Sequence, residues 1–89
     1  MKMRNDDLKK ITEIKQYLLD PPVSFKLYDY ALGYVQNAIT VLTAYPSAEN
    51  TVEYLQNTLQ QLQSKTIPQE ALRSTLINAG KEISRLTSK

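Results

Sequence analysis

The 89-residue sequence contains no histidine, no cysteine and no tryptophan. Without cysteine the chain can form neither a disulfide nor a thiolate metal site. Without histidine it lacks the side chain most often used for proton transfer near neutral pH and for accepting a phosphoryl group. These absences argue against an enzyme, and we predict no catalytic, cofactor-binding or metal-binding residue.

Glycine is also scarce, with Gly33 and Gly80 as its two occurrences. Both lie inside helical patterns, which excludes a glycine-rich loop that cradles phosphates. A di-metal carboxylate bundle would need inward-facing Glu-x-x-His motifs, which a chain without histidine cannot supply. An enzyme would therefore need a site built from residues such as Tyr30, Glu70 and Arg73.

Long apolar runs are missing as well, since no segment approaches the ~20 residues that cross a bilayer. The first residues lack the apolar stretch of a signal peptide, so we expect a cytoplasmic protein. Eleven basic and nine acidic residues give a net charge of +2. That charge is too small to indicate nucleic-acid binding.

What the sequence does contain is four amphipathic segments, in which apolar residues recur at spacings of three and four. The four predicted helices cover about 6–20, 25–44, 48–63 and 68–87. Prolines separate them, because proline lacks an N–H and restricts the residue before it. Ser24 and Ser47 are predicted to cap the second and third helices. No segment sustains the period-two alternation of a strand.

Short links make consecutive helices antiparallel neighbours, so we predict an all-α single domain, an antiparallel up-down-up-down four-helix bundle. The alternative is a less regular orthogonal array of helices. The second helix carries two adjacent apolar seams and is expected to touch two neighbours at the centre of the packing. Gly33 lies between those seams and is a candidate for a close helix crossing.

The C-terminal quarter of the chain is its basic end. Its candidate partner contacts are Lys65, Arg73, Lys81 and Arg85, which could meet an acidic protein or an anionic membrane surface. The alternative interpretation is a solvated helix face whose cations complement the helix dipole.

Six tyrosines form a second candidate surface. Those on the apolar seams, Tyr28, Tyr34 and Tyr45, are expected in the core. Those off the stripes, Tyr17, Tyr30 and Tyr54, are candidate contact anchors or half-buried rings over neighbouring segments, and we select Tyr54 as the partner contact.

Two stretches of the chain resemble a known family. Residues Ile14-Lys15-Gln16-Tyr17-Leu18-Leu19-Asp20-Pro21 form a helix that ends in a leucine pair and Asp-Pro. The run from Val52 through Leu55, Leu59 and Leu62 to Lys65-Thr66-Ile67-Pro68 is a leucine-spaced helix, a short basic link and a proline-opened last helix. This order is similar to the immunity proteins that protect Gram-positive bacteria against pediocin-like (class IIa) bacteriocins, the enterocin A immunity family.

The resemblance implies a small cytosolic four-helix bundle that acts by binding and needs no cofactor. In that family protection is linked to the membrane-embedded mannose phosphotransferase receptor that the bacteriocin targets, and the C-terminal half governs which bacteriocin is countered. Lys65, Arg73, Lys81 and Arg85 would belong to this recognising half. We expect a protein partner, at most peripheral membrane contact, no nucleic acid, and a monomer or weak dimer.

The alternative from another functional class is a small helical regulatory adaptor that acts by protein–protein contact. Its candidate dimerisation surface is the glutamine-rich outside of the third helix.

Overall fold

The computed structural model describes residues 2–22 and 26–87 of the chain. Four α-helices form in these ranges: α1 Asn5–Leu19, α2 Leu27–Leu42, α3 Glu49–Ser64 and α4 Gln69–Thr87. A short 3-10 turn, Pro46–Ala48, precedes α3, and the described ranges contain no strand. The predicted all-α class is therefore confirmed, and each predicted helix bound differs from the observed one by at most two residues.

Backbone turns, more than side-chain caps, set the ends of α3. Ser47 lies inside the 3-10 turn and α3 begins after Ala48 without a side-chain cap, so the predicted Ser47 cap is wrong. At its other end α3 stops at Lys65, which adopts the left-handed conformation with φ 56°. The next N–H, of Thr66, bonds back to the Gln61 carbonyl, the pattern of a Schellman turn. The predicted Ser24 cap lies outside the described residues.

The core is built from apolar side chains of all four helices. Its largest fully buried aliphatic members are Ile11, Val35, Leu18, Leu42, Leu55, Leu62, Leu76 and Ile83. On α2 the buried stripe, Ala31, Val35, Ala38 and Leu42, lies where the two predicted seams meet, and the outer members of both seams are partly buried. One helix face thus supplies the core while its two flanks reach the neighbouring helices.

The helices close a ring of contacts: α1 with α2, α2 with α3, α3 with α4, and α4 with α1. The α1–α4 contact is the most extensive of the four. The prediction that α2 touches two neighbours is confirmed. The idea that α2 is a distinct centre is wrong, because every helix of the ring has two such neighbours.

The two glycines lie in opposite environments. Gly33 is exposed, and a methyl group added there would meet no heavy atom within 4 Å, so the predicted crossing at Gly33 is wrong. Gly80 is buried in α4, and a Cβ there would lie 3.0 Å from the backbone nitrogen and the side chain of Leu19. The close crossing is therefore between α4 and the C-terminal end of α1.

Within the described ranges, none of the helices combines the length and the apolar character needed to cross a bilayer. The same part of the chain holds no group of three or more acidic side chains arranged to bind a metal ion.

Candidate functional site

Arg73, near the start of α4, is turned toward the end of α1. Its Nη1 donates a hydrogen bond to the Pro21 carbonyl oxygen, and its Nη2 lies 3.5 Å from Asp20 Oδ1. The guanidinium therefore binds a carbonyl that follows α1 and links the start of α4 to the end of α1. Its side chain is still 45% exposed, so a partner can approach one side of it.

Lys81 and Arg85 lie four residues apart on the exposed side of α4, which places them one turn apart on the same face. Arg85 forms an ion pair with Glu82 and keeps 75% of its side chain exposed. Lys81 has no ion pair within the described residues. Arg85 stands in the last turn of α4, near the negative end of the helix dipole, where positive charge is stabilised.

The remaining predicted contacts lie elsewhere. Arg73 precedes Lys81 by eight residues, about 12 Å along the helix axis. Lys65 is exposed at the turn that ends α3, and Tyr54 is 38% exposed in the first half of α3. The structure thus brings Lys81 and Arg85 together and places the other three candidates at separate points of α3 and α4.

Two tyrosines form a stacked pair between α1 and α2. The rings of Tyr17 and Tyr34 are 4.0 Å apart between centroids, with an interplanar angle of 18°. The Tyr17 hydroxyl is buried and has no hydrogen-bond partner among the described residues. Burial raises the pKa of Tyr17, and the neighbouring Tyr34 and Tyr30 raise it further. Tyr17 is therefore a half-buried packing residue and not a free contact anchor.

Tyr45 joins the segment after α2 to the start of α1. Its hydroxyl donates a hydrogen bond to the Asp7 carboxylate and accepts one from the Arg4 N–H at 3.2 Å. The bond to Asp7 raises the pKa of Tyr45 above its ordinary value. This ring is partly buried against the core, as are Tyr28 and Tyr34.

Sequence reasoning missed a cleft of about 430 Å³ between α1 and α2. It is lined by Lys10, Glu13, Ile14, Tyr34, Asn37, Thr40 and Val41. A smaller cleft of about 190 Å³ shares Tyr34 and Asn37 with it and continues to Asp29, Tyr30 and Gly33. A sign of an unusual surface was present in the sequence, because residues 30–48 contain no charged side chain although five α2 residues in that run are exposed: Tyr30, Gly33, Gln36, Asn37 and Thr40.

Comparison with models of known protein families, with curated proteins and with solved structures finds no match to this chain.

Proposed function

We propose that this protein is a bacteriocin immunity protein, which protects its cell against a pediocin-like bacteriocin by binding on the cytoplasmic side. Its partner in this proposal is the membrane-embedded mannose phosphotransferase receptor with bound bacteriocin. The resemblance of residues 14–21 and 52–68 to that family supports the proposal. The observation that carries it further is the outward-facing pair Lys81 and Arg85, in the half to which the resemblance assigns recognition.

The proposal includes an antiparallel up-down-up-down order of the helices. The short links at 43–48 and 65–68 and the ring of neighbours support this order, because a short link leaves the next helix beside the previous one. In this order the start of α3 and the end of α4 share one end of the bundle. Tyr54 then supplies an aromatic ring at the same end as Lys81 and Arg85, while Lys65 and Arg73 lie at the opposite end.

The energetics suit a binding protein without turnover. An exposed cation contributes about 0.2–1 kcal/mol to an ion pair, so two cations alone give a weak contact. A tyrosine ring that becomes buried at the centre of such a contact adds apolar area and a hydroxyl, the combination found at interface hot spots. We therefore expect recognition that needs both groups and that weakens with added salt.

The test is to express the chain in a bacteriocin-sensitive Gram-positive strain and to measure killing by a panel of pediocin-like bacteriocins. The wild-type chain should raise the inhibitory concentration of at least one of them. The double variant Lys81→Gln and Arg85→Gln should lose most of that protection. Unchanged killing across the panel in cells that contain the folded wild-type chain would refute the proposal.

A matched control is the double variant Lys2→Gln and Lys9→Gln, which removes two exposed cations from the other end of the sequence. It should protect as well as the wild type at equal protein level. If both double variants lose protection equally, net charge and not the α4 surface governs the effect.

A helical adaptor is the second candidate, favoured by the exposed face of α2, on which Asp29 is the one charged residue. Gene context separates the two. A neighbouring gene for a short peptide with a double-glycine leader, or for its transporter, supports immunity, whereas a regulator or toxin gene supports the adaptor.

A further inference from the structure

The cleft between α1 and α2 carries both signs of charge on one wall. Lys10 and Glu13 both line it, and they lie three residues apart on α1, which makes them neighbours on the helix surface. Neither side chain forms an ion pair with any residue of the ranges 2–22 and 26–87. A ligand that has one negative and one positive group can therefore engage both.

This charge pattern selects the class of ligand. A ligand with a negative charge alone would be attracted by Lys10 but repelled by Glu13, and a ligand with a positive charge alone would meet the reverse arrangement. A neutral apolar ligand would displace water from both charged groups without pairing either of them. A small zwitterion, whose two charges are adjacent, gives each of these side chains a partner of opposite sign.

The opposite wall, which comes from α2, supplies uncharged polar groups. The Thr40 hydroxyl donates its proton to the Gln36 carbonyl at 3.1 Å, so it offers the cleft only lone pairs, which accept hydrogen bonds. The side-chain amide of Asn37 both donates and accepts. An ammonium group in the cleft therefore has acceptors available on both helices.

Apolar side chains form the rest of the lining. Ile14 is buried in the core, and Val41 and Tyr34 are half-buried at the cleft. The Tyr34 ring is held in position by its stack on Tyr17, at 4.0 Å between centroids. With about 430 Å³, the cleft lies near the lower end of the volumes that hold small-molecule ligands. The lining thus suits a ligand with one apolar group of moderate size beside its charges.

We propose that this cleft binds a free amino acid with a large apolar side chain. The carboxylate of the amino acid pairs with Lys10, and its ammonium group pairs with Glu13. Its side chain packs against Ile14, Tyr34 and Val41. The cleft shares no residue with the cations of α4, so this site is independent of the immunity proposal.

The test is a titration of the isotope-labelled full chain with L-phenylalanine, followed by two-dimensional NMR of the backbone amides. Signals of residues 10–14 and 34–41 should shift and saturate, with a dissociation constant of about 1 mM for a ligand of this size. Signals from the outer side of α3 should not move. The titration is made at about pH 6, where an α-amino group is charged.

Two blocked ligands distinguish a free amino acid from the terminal residue of a peptide. N-acetyl-L-phenylalanine keeps only the carboxylate, as a peptide C-terminus does, and L-phenylalaninamide keeps only the ammonium group, as a peptide N-terminus does. Each should bind about three- to tenfold more weakly than L-phenylalanine, because each leaves one charged side chain of the cleft without a partner.

Charge variants test the role of each side chain. Lys10→Gln should weaken L-phenylalanine about three- to tenfold and should not weaken L-phenylalaninamide, which has no carboxylate for Lys10. Glu13→Gln should have an effect of similar size and should not weaken N-acetyl-L-phenylalanine. Lys9→Gln and Glu53→Gln, which remove exposed charges outside the cleft, are the matched controls and should leave binding within about twofold. Far-UV circular dichroism establishes that each variant is folded.

Three results would overturn the proposal. The first is the absence of saturable shifts in the cleft up to about 20 mM L-phenylalanine, about twenty times the expected dissociation constant. The second is a blocked ligand that binds as tightly as L-phenylalanine, which would assign the cleft to a peptide terminus. The third is an equal loss of affinity in Lys9→Gln and Lys10→Gln, which would show that the cleft residue has no specific role.

Discussion

Both ends of helix α1 are in contact with other parts of the chain, whereas the middle of the exposed face of α2, at Gly33, faces open space. At the C-terminal end of α1, Gly80 of α4 comes within contact of Leu19. Arg73 binds the Pro21 carbonyl beyond that end, and Tyr45 binds Asp7 near the other. On the exposed face of α2, by contrast, there is open space around Gly33.

A glycine in the interior of a helix can have opposite roles, depending on whether another helix lies beside it. A glycine within a helix costs about 1 kcal/mol relative to alanine. At Gly80 this cost permits the closest approach of two helices, while at Gly33 the monomer gains no packing in return. The difference lies in the neighbouring helix, and matched substitutions measure it.

The largest effect is expected for Gly80→Ala. The added methyl group would lie 3.0 Å from the Leu19 backbone nitrogen, and a backbone atom in a packed contact moves less easily than a side-chain tip. Overpacking should outweigh the gain in helix propensity, so we expect a loss of about 1–2 kcal/mol in the free energy of unfolding. Urea unfolding followed by circular dichroism measures it, and equal or greater stability would show that α1 can shift away from α4.

Gly33→Ala should act in the opposite direction. Nothing lies within 4 Å of the new methyl group, and alanine restricts the unfolded chain more than glycine does. The free energy of unfolding should rise by about 0.5–1 kcal/mol. The measurement belongs at low micromolar protein concentration, where self-association does not contribute, and a loss of stability would mean that the site is not open.

Two arginines of α4 differ in the same way, because Arg73 contacts the chain beyond α1 and Arg85 contacts a residue of its own helix. Arg73→Gln removes the bond to the Pro21 carbonyl and the ion pair with Asp20, and it should cost about 0.5 kcal/mol. Arg85→Gln removes an exposed pair within one helix and should cost less than about 0.3 kcal/mol. If the two variants unfold at the same urea concentration, Arg73 does not tie α4 to the end of α1.

A small effect at neutral pH is expected for Tyr45→Phe, which removes the part-buried bond to Asp7 and the exposed bond from the Arg4 N–H. Because the folded-state pKa of Tyr45 is raised above 10.0, its contribution is fully present below pH 10 and is lost as the pH rises through the folded-state value. The variant should therefore be slightly less stable at pH 7 and should lose less stability than the wild type above pH 10. Thermal unfolding at pH 7, 9 and 10.5 checks both signs.

Most of the helical framework could be predicted from the sequence. The spacing of apolar residues located all four helices, since a helix must put one face into the core. Local capping was less predictable, because Ser47 has the chemistry of a cap but the backbone turns through a 3-10 segment at that point.

The candidate sites depended more on the fold. Spacing along α4 identified Lys81 and Arg85 as one face, but it could not show that Arg73 is bound to the chain beyond α1, a contact across 52 positions of sequence. The spacing of residues along one helix also could not show the cleft between α1 and α2, because its walls come from both helices. In the sequence, the unusual surface of α2 is indicated only by the run of residues 30–48, which has no charged side chain.

The sequence by itself determined the number of helices, their core faces and the absence of histidine and cysteine side chains. These follow from local period and residue type, which neighbouring residues along the chain already define. The tertiary structure alone decided which glycine lies at a helix crossing, which cation binds the chain beyond another helix, and where α2 faces open space. Each of those properties depends on the distance to another helix, and a one-dimensional pattern does not contain that distance.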